Sequence, residues 1–154
     1  MTSFEQLLEQ DGSLVYRIRG VSMRPMLRQD RDLVIIEPAS SPLARYDVAL
    51  YRRGTSYVLH RVVGHTEGGY LIRGDNTYST EKVAAGDVLG VLVGFQRNGV
   101  SHDVTEPGYR LYCRFWTAIY PLRRFAMRLR NAAVRLARRM GVLEAIKRIL
   151  RRER

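Results

Sequence analysis

The sequence predicts a mainly β, α+β fold with a short N-terminal helix and a basic amphipathic C-terminal helix. Two observations within residues 14–95 support the β part: short segments rich in Val, Ile, Leu and Tyr, and Gly, Pro, Asp and Asn between them. A third supports the helical end, where the apolar period changes from strand-like to helical after Pro121. With 154 residues, 45% of them apolar, the chain is long enough to bury a core.

At the N-terminus, Ser3 and Gln6 have capping-box spacing, and Phe4, Leu7 and Leu8 form one apolar side, so a helix ends near Asp11-Gly12. Strands are expected at Leu14–Arg19, Leu33–Glu37, Val48–Arg52, Tyr57–Val63, Tyr70–Arg73 and Val88–Phe95. Arg53-Gly54-Thr55 and His65–Gly69 read as hairpin connections, and Arg97-Asn98-Gly99 as a tight turn. Strands this short and this closely spaced indicate a mostly antiparallel sheet. No GxGxxG, Walker loop or internal repeat interrupts the pattern.

Glu106-Pro107-Gly108 is the expected boundary between a domain of residues 1–106 and a helical tail of residues 107–154. In the tail, Leu122, Phe125, Leu129, Ala132, Ala133, Leu136, Met140, Leu143, Ile146 and Leu150 recur at steps of three or four. Arg123, Arg124, Arg128, Arg130, Arg135, Arg138 and Arg139 lie largely between them, and Gly141 is a potential break. Residues 1–108 carry 12 Lys+Arg against 13 Asp+Glu, whereas residues 109–154 carry 14 against 2. The whole excess of +11 therefore sits in the tail.

Several classes of protein are disfavoured. The single cysteine, Cys113, cannot form an internal disulfide, so the fold needs no oxidising compartment. Met1–Gln10 is acidic and lacks the apolar centre of a secretory signal. No uncharged apolar run approaches the ~20 residues that span a bilayer. The nearest, Phe115–Leu122, is bounded by Arg114 and Arg123. No Cys/His cluster has metal-ligand spacing, so neither a metal nor a cofactor is expected. The expected location is the cytoplasm, with the protein either free there or peripheral on the inner face of the membrane.

Nucleophilic catalysis needs a hydroxyl or thiol beside a base that titrates near neutrality. Of the three histidines, only His60 falls inside an expected strand, where its ring would be held rigidly. Ser22 lies in Gly20-Val21-Ser22-Met23-Arg24-Pro25-Met26-Leu27, between a strand and a polar turn. Gly20 permits a tight backbone path before it, and Pro25 stiffens the chain after it. Arg73-Gly74-Asp75-Asn76 and Glu81 supply carboxylates of the kind that orient a catalytic imidazole. Taken singly, each piece reads better as ordinary structure: a strand histidine, a turn serine or an Asp-Asn turn.

Together, Gly-x-Ser-Met-x-Pro, a strand with His-Arg-Val-Val-Gly, and Gly-Asp-Asn resemble the signal peptidase superfamily, which includes the LexA-type self-cleaving repressors. The resemblance runs from about Tyr16 to Gly94, with Asp32-Leu33-Val34 and Tyr46-Asp47-Val48 as further family-like segments. It implies a signal-peptidase/LexA-like β fold. Bacterial signal peptidases and LexA-type proteins place a lysine base immediately before Arg-Val; here that position is His60, and Lys82 does not fall there. The chain is thus similar to the Ser–His branch, formed by the endoplasmic-reticulum, archaeal and sporulation-type enzymes.

The resemblance implies Ser22 as nucleophile, His60 as general base, and a contribution of the Ser22 amide to the oxyanion hole. Such donors are typically worth ~2.7–4 kcal/mol in the transition state. The third residue is either Glu81, at the family's acidic position, or Asp75, at an earlier one. The implied substrate is an extended peptide with small residues before the cut.

The expected activity is that of a metal-independent serine endopeptidase processing a leader or precursor peptide, in the cytosol or at the membrane surface. The alternative is a catalytically inactive peptide-binding or regulatory module of the same fold. For the basic tail of residues 109–154, an anionic membrane surface is the favoured partner, with Tyr112, Phe115, Trp116 and Tyr120 as interfacial aromatics. Packing of the apolar stripe on the β domain is the next reading, and nucleic acid is the least favoured.

Overall fold

The computed structural model describes residues 3–40 and 42–139. The elements are α1 (Phe4–Asp11), β1 (Leu14–Arg17), β2 (Asp32–Pro38), β3 (Val48–Arg53), β4 (Ser56–Thr66), β5 (Gly69–Arg73) and β6 (Glu81–Ala84). β7 (Val88–Arg97), β8 (Val100–Asp103), α2 (Pro107–Ala118) and α3 (Tyr120–Arg139) follow, with a 3-10 turn at Ala85–Asp87 before β7. The expected helical positions Met140, Gly141, Leu143, Ile146 and Leu150 lie outside the described residues.

The expected mainly β, α+β class is the observed one. Eight antiparallel strands form one sheet in the order β1-β2-β7-β3-β4-β5-β6, with β8 added to β7. The capping box at α1 is complete: the Gln6 amide donates to Ser3 Oγ at 3.2 Å, and the Ser3 amide to Gln6 Oε1 at 2.9 Å. β6 and β8 go beyond the expected set. Val83 is the one buried residue of β6, and β8 buries none, so neither carries the apolar alternation that marks a strand. β4 also extends to Thr66, into the stretch expected to connect it to β5.

Two apolar clusters form. One includes Leu14, Met23, Leu27, Val34, Leu50 and Leu92; the other gathers Leu43, Ala49, Tyr51, Val62, Tyr70 and Ile72. Successive strand residues point to opposite faces, and this places His60 and Arg61 back to back on β4. Both are nearly sealed, at 4% and 1% exposure.

The chain divides into compact units of residues 1–117 and 118–154, so α2 up to Thr117 belongs to the first unit, although residue 107 is the expected start of the tail. Tyr109 and Cys113 of α2 join the first apolar cluster. Tyr112 and Trp116, expected as interfacial aromatics, are half-buried and hydrogen-bonded to Asp75. The α3 helix, taken by itself, carries Leu122, Phe125, Leu129 and Leu136 exposed along one side. No described helix is long and apolar enough to cross a membrane.

Candidate active site

Ser22 lies in the segment between β1 and β2, and packing on both sides of the serine holds it there. Gly20 adopts a positive φ of 84°, a conformation costly for a residue with a Cβ, and its amide donates to Gln29 Oε1 at 2.8 Å. Met23 and Leu27, each 1% exposed, plug into the first cluster, and the Leu27 amide donates to the Met23 carbonyl at 2.9 Å. Beyond them, the Met26 carbonyl accepts from Arg31 Nη2 at 3.2 Å and Arg97 Nη2 at 2.5 Å. Both arginines also donate to Asp32, which is fully buried at the start of β2. Burial alone would raise the Asp32 carboxyl, but hydrogen bonds from Arg31, Arg97 and the Arg28 amide hold it below the usual carboxylate range.

His60 sits opposite Ala49 in the β3–β4 register, which sets Tyr51 diagonally beside it on the same face. Tyr51 Oη lies 3.3 Å from His60 Nδ1 and donates to Glu81 Oε2 at 3.2 Å. Glu81 Oε1 is 3.9 Å from the same ring nitrogen and accepts from Arg53 Nη1 at 3.0 Å. Burial pushes the His60 pKa down, Arg53 adds to this, and the charges of Glu81 and Asp75 oppose it. The ring is held towards its neutral form, the form a general base must have.

The Gly74–Thr77 turn joins the two halves of the site. A Cβ at Gly74 would lie 2.9 Å from His60 Nε2 and 2.7 Å from the Ser22 carbonyl oxygen. The missing side chain therefore lets the second ring nitrogen and the serine backbone approach the same point. The Asn76 amide donates to the Ser22 carbonyl at 2.7 Å, and Asn76 Nδ2 to the Val21 carbonyl at 3.2 Å. Ser22, His60 and Glu81 all line one open cleft of about 1090 Å³. Its other lining residues include Tyr16 and the stacked pair Phe4 and Tyr57, whose ring centroids are 4.7 Å apart.

Of the two acids left open for the third position, Glu81 stands beside His60. Asp75 is committed elsewhere: it takes a two-pronged pair from Arg61 Nε and Nη2, each 2.8 Å, and a hydrogen bond from Tyr112 Oη at 3.0 Å. Arg61 Nη1 donates in addition to the Tyr46 carbonyl, Tyr109 Oη and Cys113 Sγ. Asp75 thus ties α2 to the sheet and holds the turn that carries Gly74 and Asn76.

Tyr51 and Arg53 are site residues that the motifs did not reveal. The expected turn at Arg53-Gly54-Thr55 contained the signal. Pairing Arg53 with Ser56 and counting back along both strands sets Tyr51 against Val58 and Ala49 against His60. Among the described residues, no three His, Cys, Asp or Glu side chains converge to hold a metal. No family model matches the chain, and no curated protein matches it.

Proposed function

We propose that the chain is a serine endopeptidase of signal-peptidase type, with Ser22 as nucleophile, His60 as general base and Glu81 as the acid behind the base. One observation carries this reading: His60 Nε2 and the Ser22 backbone meet at the cradle left by Gly74, while Nδ1 faces Tyr51 and Glu81. Ser22 Oγ attacks the peptide carbonyl and its proton passes to Nε2. The imidazolium formed is stabilised by the Glu81 charge and then protonates the departing amine. Water, deprotonated by the same nitrogen, releases the acyl group from Ser22. An open cleft suits an extended segment of a leader or precursor peptide, which must reach the serine without unfolding the enzyme.

The test is mass spectrometry of a peptide mixture incubated with the full chain, and with Ser22→Ala and His60→Ala. Loss of either group should lower kcat/KM by roughly 10⁴–10⁶-fold. Folded protein that makes no Ser22-dependent cut would replace this reading with a peptide-binding module that does not cleave.

The α3 helix gives the enzyme a surface for anionic membranes. Its apolar side chains Leu122, Phe125, Leu129 and Leu136 share one stripe, and Arg123, Arg124, Arg128, Arg130, Arg135 and Arg138 occupy the rest of the circumference, with no acidic residue in the helix sequence. Each arginine near an anionic surface contributes ~1 kcal/mol. Co-sedimentation of the full chain with phosphatidylglycerol vesicles should fall as salt rises and should be lost in Phe125→Glu/Leu129→Glu. Equal sedimentation of both proteins would refute the membrane surface.

A further inference from the structure

We infer that Tyr51 is a positioning residue that fixes which nitrogen of His60 carries the proton; this rests on the Ser–His reading of the site. The phenol stands between Nδ1 and the carboxylate, at 3.3 Å from one and 3.2 Å from the other, and is itself 1% exposed. It has one hydrogen to give and lone pairs to offer. The Glu81 carboxylate, paired with Arg53, can only accept. The Tyr51 hydrogen therefore goes to Glu81, and what Tyr51 offers His60 is a lone pair.

A ring nitrogen that faces a lone pair at hydrogen-bond distance must bear the hydrogen. Neutral His60 is thereby the Nδ1–H tautomer, and Nε2, at the Gly74 cradle beside Ser22, keeps the free electron pair that a base needs. Burial and the nearby Glu81 charge both raise the Tyr51 pKa, so the phenol keeps the hydrogen on which the chain of bonds depends. Glu81 cannot do this alone: its nearest approach to Nδ1, 3.9 Å, is beyond hydrogen-bond reach. An imidazole without such a partner favours the opposite tautomer, with its proton on Nε2 and no base facing the serine.

Two-bond ¹H–¹⁵N spectra of the labelled full chain, recorded well above the His60 pKa and assigned by loss of signals in His60→Ala, read the tautomer directly. The expected result is a protonated Nδ1 and a bare Nε2 in the wild type and in Ser22→Ala. Tyr51→Phe, which keeps the ring, should shift the population towards Nε2–H. It should lower kcat by roughly 10–100-fold with KM little changed, as expected for a misoriented catalytic group. A wild-type ring already protonated at Nε2 would overturn the role of Tyr51, as would a tautomer indifferent to Tyr51→Phe. The wild-type spectrum decides even if Tyr51→Phe fails to fold. A wild-type Nδ1–H tautomer with no Ser22-dependent cleavage would sink the peptidase reading and leave the assignment of the proton standing.

Discussion

His60 and Arg61 are consecutive on β4, almost equally buried, and surrounded in opposite ways. Arg61 has every arm of its guanidinium engaged, by Asp75, the Tyr46 carbonyl, Tyr109 and Cys113. Burial alone would lower its pKa, but the Asp75 carboxylate more than reverses this and keeps Arg61 charged. On the other face, burial of His60 is only partly offset by Glu81 and Asp75, and the ring is held towards neutrality. One of its nitrogens is tied to Tyr51, and the other is turned towards the serine segment. A buried side chain with all its partners serves the fold, whereas a buried imidazole with one nitrogen turned towards a cleft has the makings of a base.

The sharpest way to break this comparison is to remove each side in turn. Ser22→Ala should abolish most turnover while leaving chemical denaturation nearly unchanged, and His60→Ala should abolish it with some loss of stability, because the ring it removes is buried. Asp75→Asn should act first on stability, because it strands the Arg61 charge in the interior. Urea unfolding should show a loss of ~3–5 kcal/mol. An Asp75→Asn protein as stable as wild type would mean that the Arg61 face is not the structural one.

A smaller effect comes from pH. The folded pKa of His60 lies below its unfolded value, so between the two the unfolded chain binds more protons. The His60 contribution should therefore make the fold less stable as pH drops below about 6.5, the ordinary histidine value. The acid limb of kcat/KM should likewise lie below that value. A limb above it would show that Glu81 outweighs burial at the ring.

Much of this was legible in the residues, for reasons that differ along the chain. The first helix carries its own cap, and most strands carry Val, Ile or Leu between turn residues. β6 and β8 do not, since they are held by neighbouring strands rather than by burial of their own side chains. The apolar face of α2 is built from Tyr109, Tyr112, Cys113 and Trp116 at helical spacing. Polar-tipped aromatics of this kind read equally well as a membrane edge or as a core. Ser22 and His60 lie within their motifs, whereas Glu81 is one of two acids between which the sequence does not choose. The division of labour between Glu81 and Asp75, and the place of Tyr51, depend on cross-strand registers that a linear motif does not record.

The chain holds one tryptophan, and its position has an optical consequence. Trp116 donates its indole N–H to the Asp75 carbonyl at 2.9 Å and stacks on Tyr112, with ring centroids 5.7 Å apart. All tryptophan emission therefore comes from a single ring seated on the turn that holds Gly74 and Asn76. The protein carries its own fluorescent gauge of that turn, outside the lining of the open cleft.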